Sequence, residues 1–212
     1  MSGADPRVRA VLKLAPVIPV FTPDDVDDAV QVAHALFRGG LPVIEVTLRT
    51  PRALEAIKAM VEAVPDAVIG AGTVLTAAQM QAVKDVGGRF AVSPGATERL
   101  YAAARDVDLP FLPGIATSSE LMQGLEQGLD TFKFFPAVQA GGAPLLSAWN
   151  GPFGDVRFCP TGGISAQTAQ QFLHLPNVLC VGGSWLTTPA LMQSRDWAAV
   201  EELARAAAVL AG

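Results

Sequence analysis

The stretch Thr131-Phe132-Lys133-Phe134-Phe135-Pro136 sets one ammonium inside an aromatic run. Without its lysine the run would be a strand buried on both faces, the kind found in parallel sheets covered by helices. The chain has only four lysines. Lys13 lies in a mixed N-terminal segment, Lys58 and Lys84 lie in helical patterns that let their heads reach water, and Lys133 has no such route. Burial disfavours the charged form of a lysine, and so favours a free amine able to attack a carbonyl. The alternative at this stretch is a structural ion pair with a buried carboxylate.

Strand-like runs of the same kind recur on both sides of it. They begin near residues 16, 42, 67, 89, 109, 130, 156 and 177, each followed by a turn and an amphipathic helix, at the spacing a βα unit needs. Alternating strands and helices imply a parallel sheet with right-handed crossovers. Eight such units predict a closed (β/α)8 TIM barrel, with residues 1–212 as a single domain. An open doubly wound sheet is the other architecture this alternation allows. A short capping helix from about Pro6 to Ala15 precedes the first strand, and an Ala-rich helix from Asp196 to Leu210 closes the outer ring. Helix starts are marked by a hydroxyl followed by proline at Thr22-Pro23-Asp24-Asp25 and at Thr50-Pro51. Thr76 with Gln79 and Thr117 with Glu120 have the spacing of capping boxes, and Ser165 opens another helix.

Composition narrows the partners. Half of the residues are hydrophobic, 17% are charged and the net charge is -5, so there is no basic footprint for nucleic acid or an anionic membrane. The segment Met-Ser-Gly-Ala-Asp-Pro-Arg-Val-Arg lacks the apolar core of a signal peptide, and no run reaches the roughly 18 apolar residues of a membrane span, which predicts a cytoplasmic protein. Cys159 and Cys180 sit in apolar strand-like runs as buried free thiols, and no metal-ligand spacing occurs. Gly70-Ala71-Gly72-Thr73-Val74-Leu75 partly mimics a dinucleotide fingerprint, but Leu75 stands where a third small residue is needed.

Inward and outward positions alternate along a strand, so Thr131 and Phe135 share the inward face with Lys133. In Pro42-Val43-Ile44-Glu45-Val46-Thr47 the same alternation turns Glu45 inward. Both strands are even-numbered, and side chains of one layer come from alternate strands, so Glu45 and Lys133 can meet near the axis. They would form either an ion pair or an amine nucleophile beside a proton shuttle. Thr161-Gly162-Gly163-Ile164-Ser165 and Gly182-Gly183-Ser184-Trp185 put two glycine pairs at the ends of strands seven and eight, where barrels commonly bind phosphate. Arg49 falls in the loop after strand two, able to grip a carboxylate, and Thr73 ends strand three with a hydroxyl on the same face. His34 and His174 fall in helices, away from this end.

Glu45-Val46-Thr47-Leu48-Arg49-Thr50, Gly70-Ala71-Gly72-Thr73, Ser93-Pro94-Gly95, Phe132-Lys133-Phe134-Phe135-Pro136, Phe158-Cys159-Pro160-Thr161-Gly162-Gly163 and Gly182-Gly183-Ser184-Trp185 closely resemble the bacterial 2-keto-3-deoxy-6-phosphogluconate (KDPG) aldolases, class I enzymes of the Entner-Doudoroff pathway. The resemblance spans roughly residues 15 to 190. It implies a Schiff base on Lys133 and acid/base work by Glu45. It also implies that Arg49, Thr73 and Pro94 hold the pyruvate carboxylate, that Phe135 and Thr161 stand beside the substrate, and that Gly162, Gly163 and Ser184 hold the phosphate. A homotrimer, no cofactor or metal, and some action on 4-hydroxy-2-oxoglutarate follow from the same resemblance, and Thr161 points to the gluconate epimer. Two other readings of the residues remain: a phosphosugar epimerase or isomerase using Glu45 without a covalent intermediate, and a non-catalytic phosphosugar-binding barrel.

Overall fold

The computed structural model describes residues 6–210. Residues 1–5 and 211–212, on which the leader reading and the ends of the single domain depend, lie outside them. The fold is α/β, with nine short parallel strands in two sheets, all curled and flanked by helices. Six strands pair in the order β5 (Phe111–Leu112), β4 (Ala91–Val92), β3 (Val68–Gly72), β2 (Val43–Thr47), β1 (Val17–Phe21) and β9 (Val181–Gly183). Three more pair in the order β6 (Gly114–Ile115), β7 (Thr131–Phe134) and β8 (Arg157–Pro160). Seven of the nine strands start within two residues of an expected position. The last expected strand, near 177, gives only a bridge at Val178 before β9 begins at Val181. The expected fifth strand is cut by Pro113, which lacks an N–H to donate, and so appears as β5 and β6.

Each strand carries two kinds of side chain. Outward residues such as Ile44, Val46, Ile69, Phe132, Phe134 and Phe158 are buried against the helices. There Trp149, on the helix Gly142–Trp149, meets Phe134 edge-on at 5.4 Å and lies 5.7 Å from Phe158, fixing β7 and β8 from behind. Inward residues Ile18, Val43, Phe90, Val92, Leu112, Cys159 and Cys180 form a second cluster. Val8 and Leu12 of α1 (Pro6–Leu12) cover it. Arg9 of that helix reaches Asp130 at 2.8 Å and the Asp155 carbonyl at 2.8 Å, so the expected capping helix is latched over the strands' N-terminal end.

Three expected helix starts need correction. The helix after β1 is Val26–Arg38, and its cap is Asp25, whose carboxylate accepts from the Asp28 N–H at 2.9 Å; Thr22 caps nothing. The next helix, Ala53–Ala63, starts at Arg52 without a side-chain cap. Both threonines have partners across the fold: Thr22 Oγ1 lies 2.8 Å from Thr47 Oγ1, and the Thr50 hydroxyl donates to the Pro23 carbonyl. Ser165 is followed by a turn, and the helix begins only at Ala169. The two capping boxes form as expected, and Asp196 caps the last helix, Trp197–Ala208.

Candidate active site

Lys133 and Glu45 meet as their alternation requires. Lys133 Nζ donates to Glu45 Oε1 at 3.0 Å, with the two residues only 5% and 4% exposed. The lysine head also stands 5.2 Å from the centre of the Phe135 ring. Room for the carboxylate comes from Gly72 on β3, where a Cβ would fall 2.1 Å from Glu45 Oε1. The glycine of the apparent dinucleotide motif therefore serves this close approach. Lys13 and Lys58 are exposed, and Lys84 gives its ammonium to the Val107 carbonyl, so Lys133 alone of the four is buried.

The pair opens onto a cavity of about 180 Å³ at the C-terminal ends of the strands. All ten residues singled out from the sequence line it: Glu45, Arg49, Thr73, Pro94, Lys133, Phe135, Thr161, Gly162, Gly163 and Ser184. Arg49 sits exposed in the turn after β2. Thr73, just past β3, has φ 61°, a left-handed conformation that costs a β-branched residue free energy and turns the chain out of the sheet at the rim. Gly162 and Gly163 follow β8 with φ 105° and 75°, which side-chain-bearing residues rarely adopt. Neither gives its N–H to a carbonyl of the described residues, which leaves two donors in a concave turn of the kind that holds anions. Ser184 stands beside them at the end of β9.

Gly182, from the second glycine pair, lines the same cavity as expected; Val20, Thr22 and Ile164 line it too and were not anticipated. Thr22 could have been found from its inward parity with Ile18 and Val20, but its Thr-Pro context favoured a cap. Beneath the pair, burial pushes the Cys180 thiol well above its usual range, and the neighbouring Cys159 and the Glu45 carboxylate add to it. Both cysteines are free and buried, and Cys180 is an inert packing group rather than a nucleophile. Among the described residues no group of three or more histidines, cysteines or carboxylates could hold a metal ion, and no helix is long and apolar enough to cross a membrane.

A larger cavity, about 460 Å³, opens at the other end of the strands between Arg7, Tyr101, Arg105 and Phe111. Among the described residues its lining has no amine nucleophile and no buried carboxylate, so size alone does not locate the chemistry.

The family model for KDPG and KHG aldolases matches residues 8–203. The chain is 48% identical over 199 residues to the KHG/KDPG aldolase of Escherichia coli K12, covering 94% of this chain and 93% of that one. The crystal structure of the KDPG aldolase of Legionella pneumophila, with pyruvate captured as a covalent carbinolamine, superposes with a TM-score of 0.93 at 47% identity, covering 95% and 98% of the two chains. That of the Zymomonas mobilis ZM4 enzyme, with 3-phosphoglycerate, gives 0.93 at 47% identity over 98% and 97%. A buried lysine paired with a carboxylate, at the strand ends of a chain matched almost throughout, identifies this protein as a member of the KDPG and KHG aldolase family.

Proposed function

We propose that the chain is a cytoplasmic Schiff-base aldolase. It would reversibly cleave 2-dehydro-3-deoxy-6-phosphogluconate to pyruvate and glyceraldehyde 3-phosphate, and also act on 4-hydroxy-2-oxoglutarate. The observation that carries this reading is the buried Lys133 amine, 3.0 Å from Glu45, opening onto a cavity rimmed at one side by Arg49 and at the other by the Gly162–Gly163 amides. The pyruvate carbinolamine of the Legionella relative and the 3-phosphoglycerate of the Zymomonas one are the kinds of ligand such ends would take.

In this reading the neutral Lys133 amine attacks the C2 carbonyl, giving a carbinolamine that loses water to an iminium. The iminium takes up the electron pair as the C3–C4 bond breaks. Glu45 accepts the C4 hydroxyl proton, which releases the aldehyde, and then returns a proton to C3 of the enamine. Hydrolysis frees pyruvate and the lysine. Arg49, Thr73 and Pro94 hold the carboxylate end, Gly162, Gly163 and Ser184 the phosphate, and Phe135 and Thr161 flank the carbon chain. The route needs no cofactor. Thr161 favours the gluconate epimer, and the family resemblance implies a homotrimer built from single-domain subunits.

We infer likewise that the strands close into a (β/α)8 barrel. Two features support this: Phe111–Leu112 and Gly114–Ile115 are one strand interrupted at Pro113, pairing to β4 on one side and β7 on the other. At the opposite edges, bridges Phe158–Val178 and Thr161–Gly182 join β8 to the β9 segment.

Borohydride reduction in the presence of pyruvate tests the chemistry. The expected result is a pyruvate-derived adduct on the peptide carrying Lys133. No adduct would leave an epimerase or a binding protein, and an adduct on another lysine would remove Lys133 as nucleophile.

A further inference from the structure

We infer that Thr22, set by Thr47, is a specificity-determining residue that reads an alcohol of the substrate's aldehyde half, the C5 hydroxyl; this rests on the aldolase reading above. Thr22 lines the cavity at the end of β1, and its Oγ1 lies 2.8 Å from that of Thr47, where either can donate. Thr47 is only 1% exposed, and Thr22 is its only side-chain partner among the described residues. Each hydroxyl carries one donor and two acceptor sites. If Thr22 donates to Thr47, it faces the cavity as an acceptor; if Thr47 donates, the Thr22 proton is free to point inward. A group that can reverse its polarity in this way complements an alcohol, itself both donor and acceptor, better than it does a carboxylate or phosphate.

Strand order says which alcohol. The sheet runs β3, β2, β1, β9, so β1 stands between the strands that present Thr73 and Arg49 and the strand that presents Ser184. With the substrate carboxylate at the former and its phosphate at the latter, Thr22 faces the middle of the carbon chain. The C4 hydroxyl must give its proton to Glu45 on β2. That leaves the C5 hydroxyl, one carbon nearer the phosphate, for the neighbouring strand. In 4-hydroxy-2-oxoglutarate C5 is a carboxylate carbon and has no alcohol to read.

The test is the ratio of kcat/KM for the phosphosugar to that for 4-hydroxy-2-oxoglutarate in Thr22→Val, which keeps the shape and removes the hydroxyl. The ratio should fall about three- to tenfold, the size of one neutral hydrogen bond, and Thr22→Ser should restore it. An unchanged ratio, or equal losses on both substrates, would overturn the assignment, the second because it would mark Thr22 as a support for the neighbouring turn. Melting temperature and borohydride trapping of pyruvate on the same preparations show that the fold and Lys133 are intact. Should Thr22→Val fail to fold, Thr47→Val removes the setting partner and should lower the ratio in the same direction, about two- to threefold; no change there would overturn the pairing. Failure of the aldolase reading itself is distinct: the unsubstituted enzyme would trap no pyruvate.

Discussion

The inward side chains of the same strands change character from one end to the other. On β1 they run Ile18, Val20, Thr22; on β2 Val43, Glu45, Thr47; toward β9 Cys180, Gly182, Ser184. The first member of each belongs to the apolar cluster under α1, and the later ones face or back the cavity. A βα repeat places every strand's C-terminal end at one face, so a two-residue step along a strand is enough to pass from packing to chemistry. Substitutions at the two ends should therefore fail in different ways.

Lys133→Ala should have the largest effect. Loss of the amine removes the covalent route, so turnover should fall by at least about 10⁴-fold and no borohydride-stable pyruvate adduct should form on any lysine. Trapping at another lysine would mean that a second amine reaches the cavity, which the exposed Lys13 and Lys58 and the carbonyl-bound Lys84 do not.

Glu45→Gln separates the two readings of the pair. If Glu45 only balances the buried ammonium, the loss should be one of stability, about 3 to 5 kcal/mol. If it carries the proton, the amide keeps the shape but cannot shuttle, and cleavage and exchange of the pyruvate methyl protons should fall by about 10² to 10⁴-fold. The adduct on Lys133 should still form, more slowly, because water can serve some of the transfers. Deuterium exchange at the unsubstituted rate in a folded variant would end the shuttle role.

At the other end, Phe90→Ala should cost about 3 to 5 kcal/mol in stability, since the ring is buried in the inward cluster and packs against the bare Gly70. Per folded molecule kcat should stay within about twofold, because the ring lies outside the cavity lining. Chemical denaturation with active-site titration checks both; a large fall in kcat with normal stability would erase the division between the ends.

That division was legible because it rests on period-two patterning. Glu45 and Lys133 each break an apolar strand at an inward position, and two glycine pairs at strand ends mark the anion side, so the ten residues named from the sequence fall around one cavity. What the sequence did not reveal depends on contacts between distant segments. A Thr-Pro pair signals a helix cap locally, yet Thr22 binds Thr47 and Thr50 binds Pro23, stapling the ends of β1 and β2 together and leaving capping of the helix Val26–Arg38 to Asp25. The break at Pro113 was hidden for a related reason. The apolar run reads straight through a proline, and only the ladder shows that its two halves pair with different neighbours.

The smallest effect lies within the catalytic end, where two helix starts use the same device with different chemistry. Gln79 closes one capping box and Glu120 the other. Burial alone would raise the Glu120 carboxyl, but hydrogen bonds from the Ala116 N–H and from the Thr117 hydroxyl and N–H outweigh it and hold the group below its ordinary 4.5. A carboxyl lowered on folding adds stability that is full above 4.5 and is lost as the pH falls through the folded value. Glu120→Gln makes this box resemble the neutral one, so the unsubstituted protein should be the more stable at pH 7, by a few tenths to about 1 kcal/mol for so solvent-screened a group. The difference should close on acidification to pH 3, as read from denaturant midpoints at the two pH values. Gln79→Ala should lower stability equally at both, since nothing in that box titrates. A Glu120→Gln difference that does not change with pH would show that its hydrogen bonds hold the loop by shape alone, as the neutral box does.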